Sequence, residues 1–207
     1  MIRTLLRHRV ALTGAALLAG VVLSACGSGS DHSSMPGMGT TADATATFSD
    51  ADVTFAQQMI PHHQQAVVMA ALADTRAADP RVKTLAAQIK AAQDPEIATM
   101  TGWLQAWGKA APSASPAGTE MGGMDMGGGS MPGMMSDADM TKLSAASGAS
   151  FDKQFLLMMI QHHQGAISMA EDEVSGGKNP DAIALAKRII TAQQAEIDTM
   201  KKILAGA

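Results

Sequence analysis

The chain has 207 residues with a single cysteine, no tyrosine, 17 methionines and a formal net charge of −4. That length allows one or two domains; the acidic balance excludes the basic footprint of a nucleic-acid binder, and one cysteine excludes an internal disulfide. Without the three arginines of the N-terminal segment, 12 basic residues face 19 acidic ones, a net charge of −7 that suits a protein gathering cations.

Arg3, Arg7 and Arg9 precede an apolar run from Val10 to Leu23, which ends in Leu23-Ser24-Ala25-Cys26. A charged start, an apolar stretch and small residues before a cysteine form an export signal. The run is shorter than the ~20 residues that span a bilayer. It resembles the lipobox of bacterial lipoproteins, which makes residues 1–25 a signal peptide and Cys26 the lipidated first residue of the mature chain. The expected location is the outer face of the cytoplasmic membrane or elsewhere in the cell envelope, with the membrane as a partner through Cys26. Residues 26–48 read as a flexible tether of Gly, Ser, Thr, Ala and Asp, in which His32, Met35 and Met38 are candidate metal ligands.

Ser49 followed by Asp52 is a capping-box pattern, and a helix is expected from about Asp50 to about Arg76. Asp79-Pro80 supplies an N-cap and a first-turn residue for a second helix, ending near Trp107-Gly108. Residues 109–149 are rich in Pro, Gly, Ser and Met, a composition expected to form a long disordered connection. Met121, Met124, Met126, Met131, Met134 and Met135 lie in it. In such a segment there is no core for methionine to fill, and thioethers select soft ions such as Cu(I). A second hairpin is expected over 150–205, with Ser150 as N-cap, a turn at Ser175-Gly176-Gly177-Lys178 and a restart at Asn179-Pro180.

The second hairpin repeats the first at a constant offset of 100 residues. Met59-Ile60-Pro61-His62-His63-Gln64 returns as Met159-Ile160-Gln161-His162-His163-Gln164, and Asp52, Phe55, Met69, Gln93, Glu96 and Met100 all recur without a gap. An internal duplication predicts a site built twice about a pseudo-twofold axis. Residues 49–207 then form one all-α domain: a four-helix bundle of two hairpins, 49–108 and 150–205, joined by one long Met/Gly-rich crossover in the ferritin-like manner.

At 100° per residue, Phe55, Met59, His62, Ala66 and Met69 share one helical stripe, with His63 at its edge. Leu85, Ile89, Ala92, Glu96, Met100 and Trp103 share another, which places a carboxylate in an apolar face, where it needs a partner. Antiparallel pairing about position 79 sets His62 opposite Glu96 and Met59 opposite Met100. By repetition, His162 faces Glu196 and Met159 faces Met200. The expected centre is a layer of His62, His63, His162, His163, Glu96 and Glu196 flanked by four methionines. The plain reading is a satisfied buried network and gap-filling thioethers; the duplication of adjacent histidine pairs favours metal. Pro61 and Pro95 lack counterparts in the second half, Gln161 and Ala195 standing there, and each removes an interior helical hydrogen bond.

These segments, each followed by Ala-x-x-Met-Ala, together with Ala92-Gln93-x-x-Glu96-Ile97-x-x-Met100 and Trp103-Leu104, resemble the family known as domain of unknown function 305. The resemblance spans roughly residues 49–205 and implies an exported bacterial protein of ferritin-like helical fold with extracytoplasmic copper handling. Copper is therefore the expected ligand and metal ions the expected partners. The rival is a ferritin-like di-iron or di-manganese oxidase, which would use Glu-x-x-His pairs that this chain lacks. A third reading is a scaffold presenting Glu171-Asp172-Glu173 to a protein partner, against which stands the ordinary solvation of acidic helix ends.

Overall fold

The computed structural model describes residues 47–112 and 131–206. The signal segment, Cys26, the tether with His32, Met35 and Met38, and the linker residues Met121, Met124 and Met126 lie outside them. Among the described residues the chain is all-α, with α1 Asp50–Arg76, α2 Pro80–Ala106, α3 Asp137–Ala145, α4 Gly148–Gly176 and α5 Pro180–Ala205. None of these helices is long and apolar enough to cross a membrane.

Local chemistry explains most of the boundaries. Asp52 accepts hydrogen bonds from the Ser49 amide and hydroxyl, each at 2.6 Å, which closes the capping box of α1. Asp79 and Asn179 cap α2 and α5 by accepting from Arg81 N and from Asp181 N and Ala182 N, and a proline follows each cap. The helix α4 starts earlier than expected: Ser147, not Ser150, is its N-cap, and Gly148 takes φ +62° just inside it. Both α1 and α2 run through their internal prolines, Pro61 and Pro95.

The helices form two antiparallel hairpins, α1 on α2 and α4 on α5, packed together mainly through α1 and α4. Each hairpin closes the turn of the other. Asp52, near the start of α1, accepts from the amides of Lys178 and Asn179 in the α4–α5 turn at 3.1 and 2.8 Å. Asp152, near the start of α4, accepts from Ala78 and Asp79 in the α1–α2 turn at 3.1 and 2.9 Å. This exchange fixes α1 and α4 antiparallel and satisfies backbone donors that would otherwise be buried without partners.

The connection expected to be disordered over 109–149 instead joins the fold from Met131 onward. Ser136 caps α3 by accepting from Asp139 N, and α3 buries Leu143 completely. Met135 and Leu143 pack with Phe151, Phe155 and Met159. Apolar anchors at 135 and 143 outweigh the breaker-rich composition around them.

The core is two apolar clusters. One holds the second half of α1 and the first half of α4, including Met69, Ile89, Phe155, Met159 and Met200; the other reverses those halves, with Phe55, Met59, Met100, Met169 and Ile189. The paired histidines fall at the midpoints of α1 and α4, between the two clusters.

Candidate metal centre

All four histidines are buried, none more than 1% exposed. The rings of His62 and His162 meet across the α1–α4 contact with centroids 3.7 Å apart and planes tilted by 39°. The glutamates do not pair with these rings. His63 Nε2 lies 2.8 Å from Glu96 Oε2, and His163 Nε2 lies 2.6 Å from Glu196 Oε2, so the second histidine of each pair takes the carboxylate. The expected pairing was one residue out of register. Ala92, expected on the apolar stripe, is exposed, and Gln93 turns inward in its place.

The hydrogen-bond partners fix the tautomers. Carboxylates and carbonyls only accept, so Nε2 of His63 and His163 must carry the proton. The same holds for His62, whose Nε2 lies 3.0 Å from the Pro132 carbonyl oxygen. Nδ1 is the nitrogen left over on each of these rings, and none of those Nδ1 atoms meets a protein partner. His162 has neither nitrogen engaged. Burial, then the neighbouring His63, pushes His62 down to about 3; burial and the neighbouring His62 push His162 down as well. Neutral imidazole is the form that ligates metal.

Met59, Met100, Met159 and Met200 are fully buried, one pair in each apolar cluster on either side of the histidines. Gln93 and Gln193, one turn before Glu96 and Glu196, are buried with unsatisfied amide atoms. Among the described residues no three His, Cys, Asp or Glu side chains share one ligation point. The donor set is thus dominated by imidazole and thioether, a borderline-to-soft combination suited to copper. Buried lone pairs without partners are where an ion or water belongs.

One element of the centre escaped the sequence reading. Met131–Met135 forms a strap across the histidines: Pro132 and Gly133 make a turn closed by Met134 N donating to Met131 O at 3.2 Å, with Gly133 at φ +77°. Proline followed by a positive-φ glycine is the type II pattern. Gln65 grips the strap's end, accepting from Met135 N at 2.8 Å and donating to Met135 O at 2.9 Å. Gly165 is the seat, since a Cβ there would collide with the Pro132 carbonyl. Met135 is buried, whereas Met131 and Met134 are half-buried. The detectable signal was Gly165, a helix-interior glycine whose counterpart is Gln65.

The acidic group at 171–173 also departs from expectation. Glu173 is 1% exposed rather than solvated, and its carboxyl is pushed up to about 8 by burial and by the adjacent Asp52. Its counterpart in the first hairpin is Ala73.

The family model described as Domain of unknown function (DUF305) matches residues 52–204. Three solved structures are similar over most of their length. A DUF305 protein from Streptomyces coelicolor, inferred to be secreted, is 36% identical with a TM-score of 0.66, covering 75% of this chain and 93% of that one. A DUF305 fragment from Deinococcus radiodurans is 32% identical with a TM-score of 0.64, covering 77% and 98%. CopM in its Cu(I)-bound form is 32% identical with a TM-score of 0.60, covering 75% and 96%; CopM also has Cu(II)-bound and Ag-bound structures. No curated protein sequence matches the chain.

Proposed function

Because the chain belongs to the DUF305 family and is similar to CopM, which has Cu(I)-bound, Cu(II)-bound and Ag-bound structures, we propose that it is an extracytoplasmic, lipid-anchored protein that sequesters copper. The observation that carries this reading is the set of four buried imidazoles whose Nδ1 atoms all lack protein partners. His62, His63, His162 and His163 are the nitrogen ligands. Glu96 and Glu196 hold the ring N–H of His63 and His163, the arrangement by which carboxylates orient metal-binding histidines. Met59, Met100, Met159 and Met200 add thioethers for Cu(I). The linker methionines, Met121 to Met135, and the tether residues His32, Met35 and Met38 capture further soft ions. Cys26 carries the anchor.

The test is anaerobic Cu(I) and aerobic Cu(II) titration of the full chain and of the His62→Ala/His162→Ala variant, with a deletion of residues 113–130 alongside. The histidine variant should lose the tightest equivalent and keep the linker-bound fraction; the deletion should lose only the latter, at unchanged helicity. Equal stoichiometry in all three proteins would sink the proposal. Loading with iron or manganese in place of copper separates it from the di-metal oxidase alternative. Changing Cys26 to Ser should release the protein from membranes or leave its precursor uncleaved.

A further inference from the structure

Three of the four central histidines have Nε2 pinned by an acceptor: His63 by Glu96, His163 by Glu196 and His62 by the Pro132 carbonyl. The third acceptor comes from neither hairpin but from the strap, and the molecule spends two otherwise unmatched residues on holding it there. Gln65 makes a two-point amide grip on Met135, and Gly165 leaves room for Pro132 and Gly133 against α4. A Cβ on Gly133 would come within 2.7 Å of Gln161 O and 2.9 Å of His162 O, so the turn sits flush on the helix. A glycine inside a helix is less stable there than alanine would be. That cost is sensible only if the strap must lie this close.

Resting on the copper reading above, we propose that the strap Met131–Met135 is a positioning element for metal capture: its Pro132 carbonyl locks His62 as the Nε2–H tautomer and aims Nδ1 as the ligand atom, with Gln65 and Gly165 as the positioning residues that hold the carbonyl in place. The strap does for His62 what a glutamate does for His63 and His163. Backbone carbonyls serve this purpose at metal sites as carboxylates do, and loss of such a partner typically weakens metal binding about tenfold to a hundredfold. Without the strap the neutral ring of His62 would divide between its two tautomers.

The experiment uses the full chain with Gln65→Ala and, separately, Gly165→Ala, and has two readouts. Nitrogen-15 chemical shifts of His62 in the metal-free protein report the tautomer, and competition titration with Ag(I) reports affinity. In the wild type His62 should be wholly the Nε2–H form. Both variants should show a mixture, with Ag(I) affinity weaker by about tenfold or more and His63 and His163 unchanged. Gln65→Ala removes only a half-buried amide, so it keeps the test decisive if Gly165→Ala folds poorly. An unchanged His62 tautomer in Gln65→Ala, or tighter rather than weaker Ag(I) binding, would overturn the proposal; the second result would make the strap a lid that competes with metal. Failure of the wild type to bind Ag(I) would bring down the copper reading and this inference with it, whatever the tautomer data show.

Discussion

Set side by side, the two hairpins agree wherever chemistry occurs twice and differ wherever the molecule has something only once. His62-His63 and His162-His163 and the four methionines occupy equivalent buried places, and Glu96 and Glu196 equivalent half-buried ones. Asp52 and Asp152 perform the same exchange across the interface. Two differences matter for the site and its surroundings: Gln65 against Gly165, where the strap docks, and Ala73 against Glu173, where a buried carboxyl without a counterpart sits. A duplication therefore holds its paired chemistry fixed while the unpaired connection writes the asymmetry. Nothing in the structure explains why Pro95 stands opposite Ala195.

The sharpest way to break the equivalence is at the exchanged aspartates. Asp52→Ala should lower unfolding stability by about 3 kcal/mol and Asp152→Ala by about 2 kcal/mol, since each leaves turn amides without an acceptor, and Asp52 serves the buried Asn179 amide and Ser49 as well. Urea denaturation measures both. Burial alone would raise the Asp52 carboxyl, but bonds from Ser49, Asn179 and Lys178 outweigh it and bring it from 3.8 down to about 2. Its stabilisation is therefore complete above its ordinary value and lost as pH falls from there toward 2. Asp52→Ala should flatten the acid limb of the stability curve.

Glu96→Gln and Glu196→Gln test the site itself. Each should weaken Cu(I) binding by about tenfold or more through loss of a histidine-orienting carboxylate, and by the same factor if the halves are equivalent. A competition titration showing one variant silent would end the two-fold description of the centre. On the same assay, copper held by His62 should survive at pH 5, because a ring held down at about 3 offers protons little competition there.

Glu173→Gln probes the unpaired carboxyl. With the folded group raised to about 8 from an ordinary 4.5, the penalty on folding is absent below the ordinary value and grows as pH rises toward 8. The amide should therefore add stability at pH 8 and nothing at pH 4, read from thermal unfolding at the two values. The smallest effect concerns the buried amides. Gln93→Leu should be neutral or stabilising by about 0.5 kcal/mol. Gln193→Leu should gain less, because only Oε1 is unsatisfied there whereas Gln93 has both amide atoms unsatisfied.

The hairpins were legible in the sequence because caps, prolines and a repeat at fixed offset all spoke for the same boundaries. The histidine layer was legible for the same reason: its residues recur together. The glutamate partners were misassigned by one position, since a helical wheel assumes neighbours at equal height and two packed helices are free to slide by a residue. The strap was not legible. Its proline, glycine and methionines look like linker, and Met135 is the one buried apolar residue in it, too little for a periodic signal. Glu173 was hidden by its exposed neighbours Glu171 and Asp172, because burial at a helix end depends on what docks there.

The exchange of aspartates bears on what one hairpin lacks by itself. Within one hairpin the exchanged aspartate cannot reach its own turn, because Asp52 lies at the start of a helix whose turn follows its far end. Two identical hairpins set antiparallel would complete one another at once. The hairpin is thus not a self-sufficient unit: each half is finished only by the carboxylate that the other half brings. Hairpins produced as separate polypeptides, 47–112 and 131–206, should accordingly find each other and reassemble.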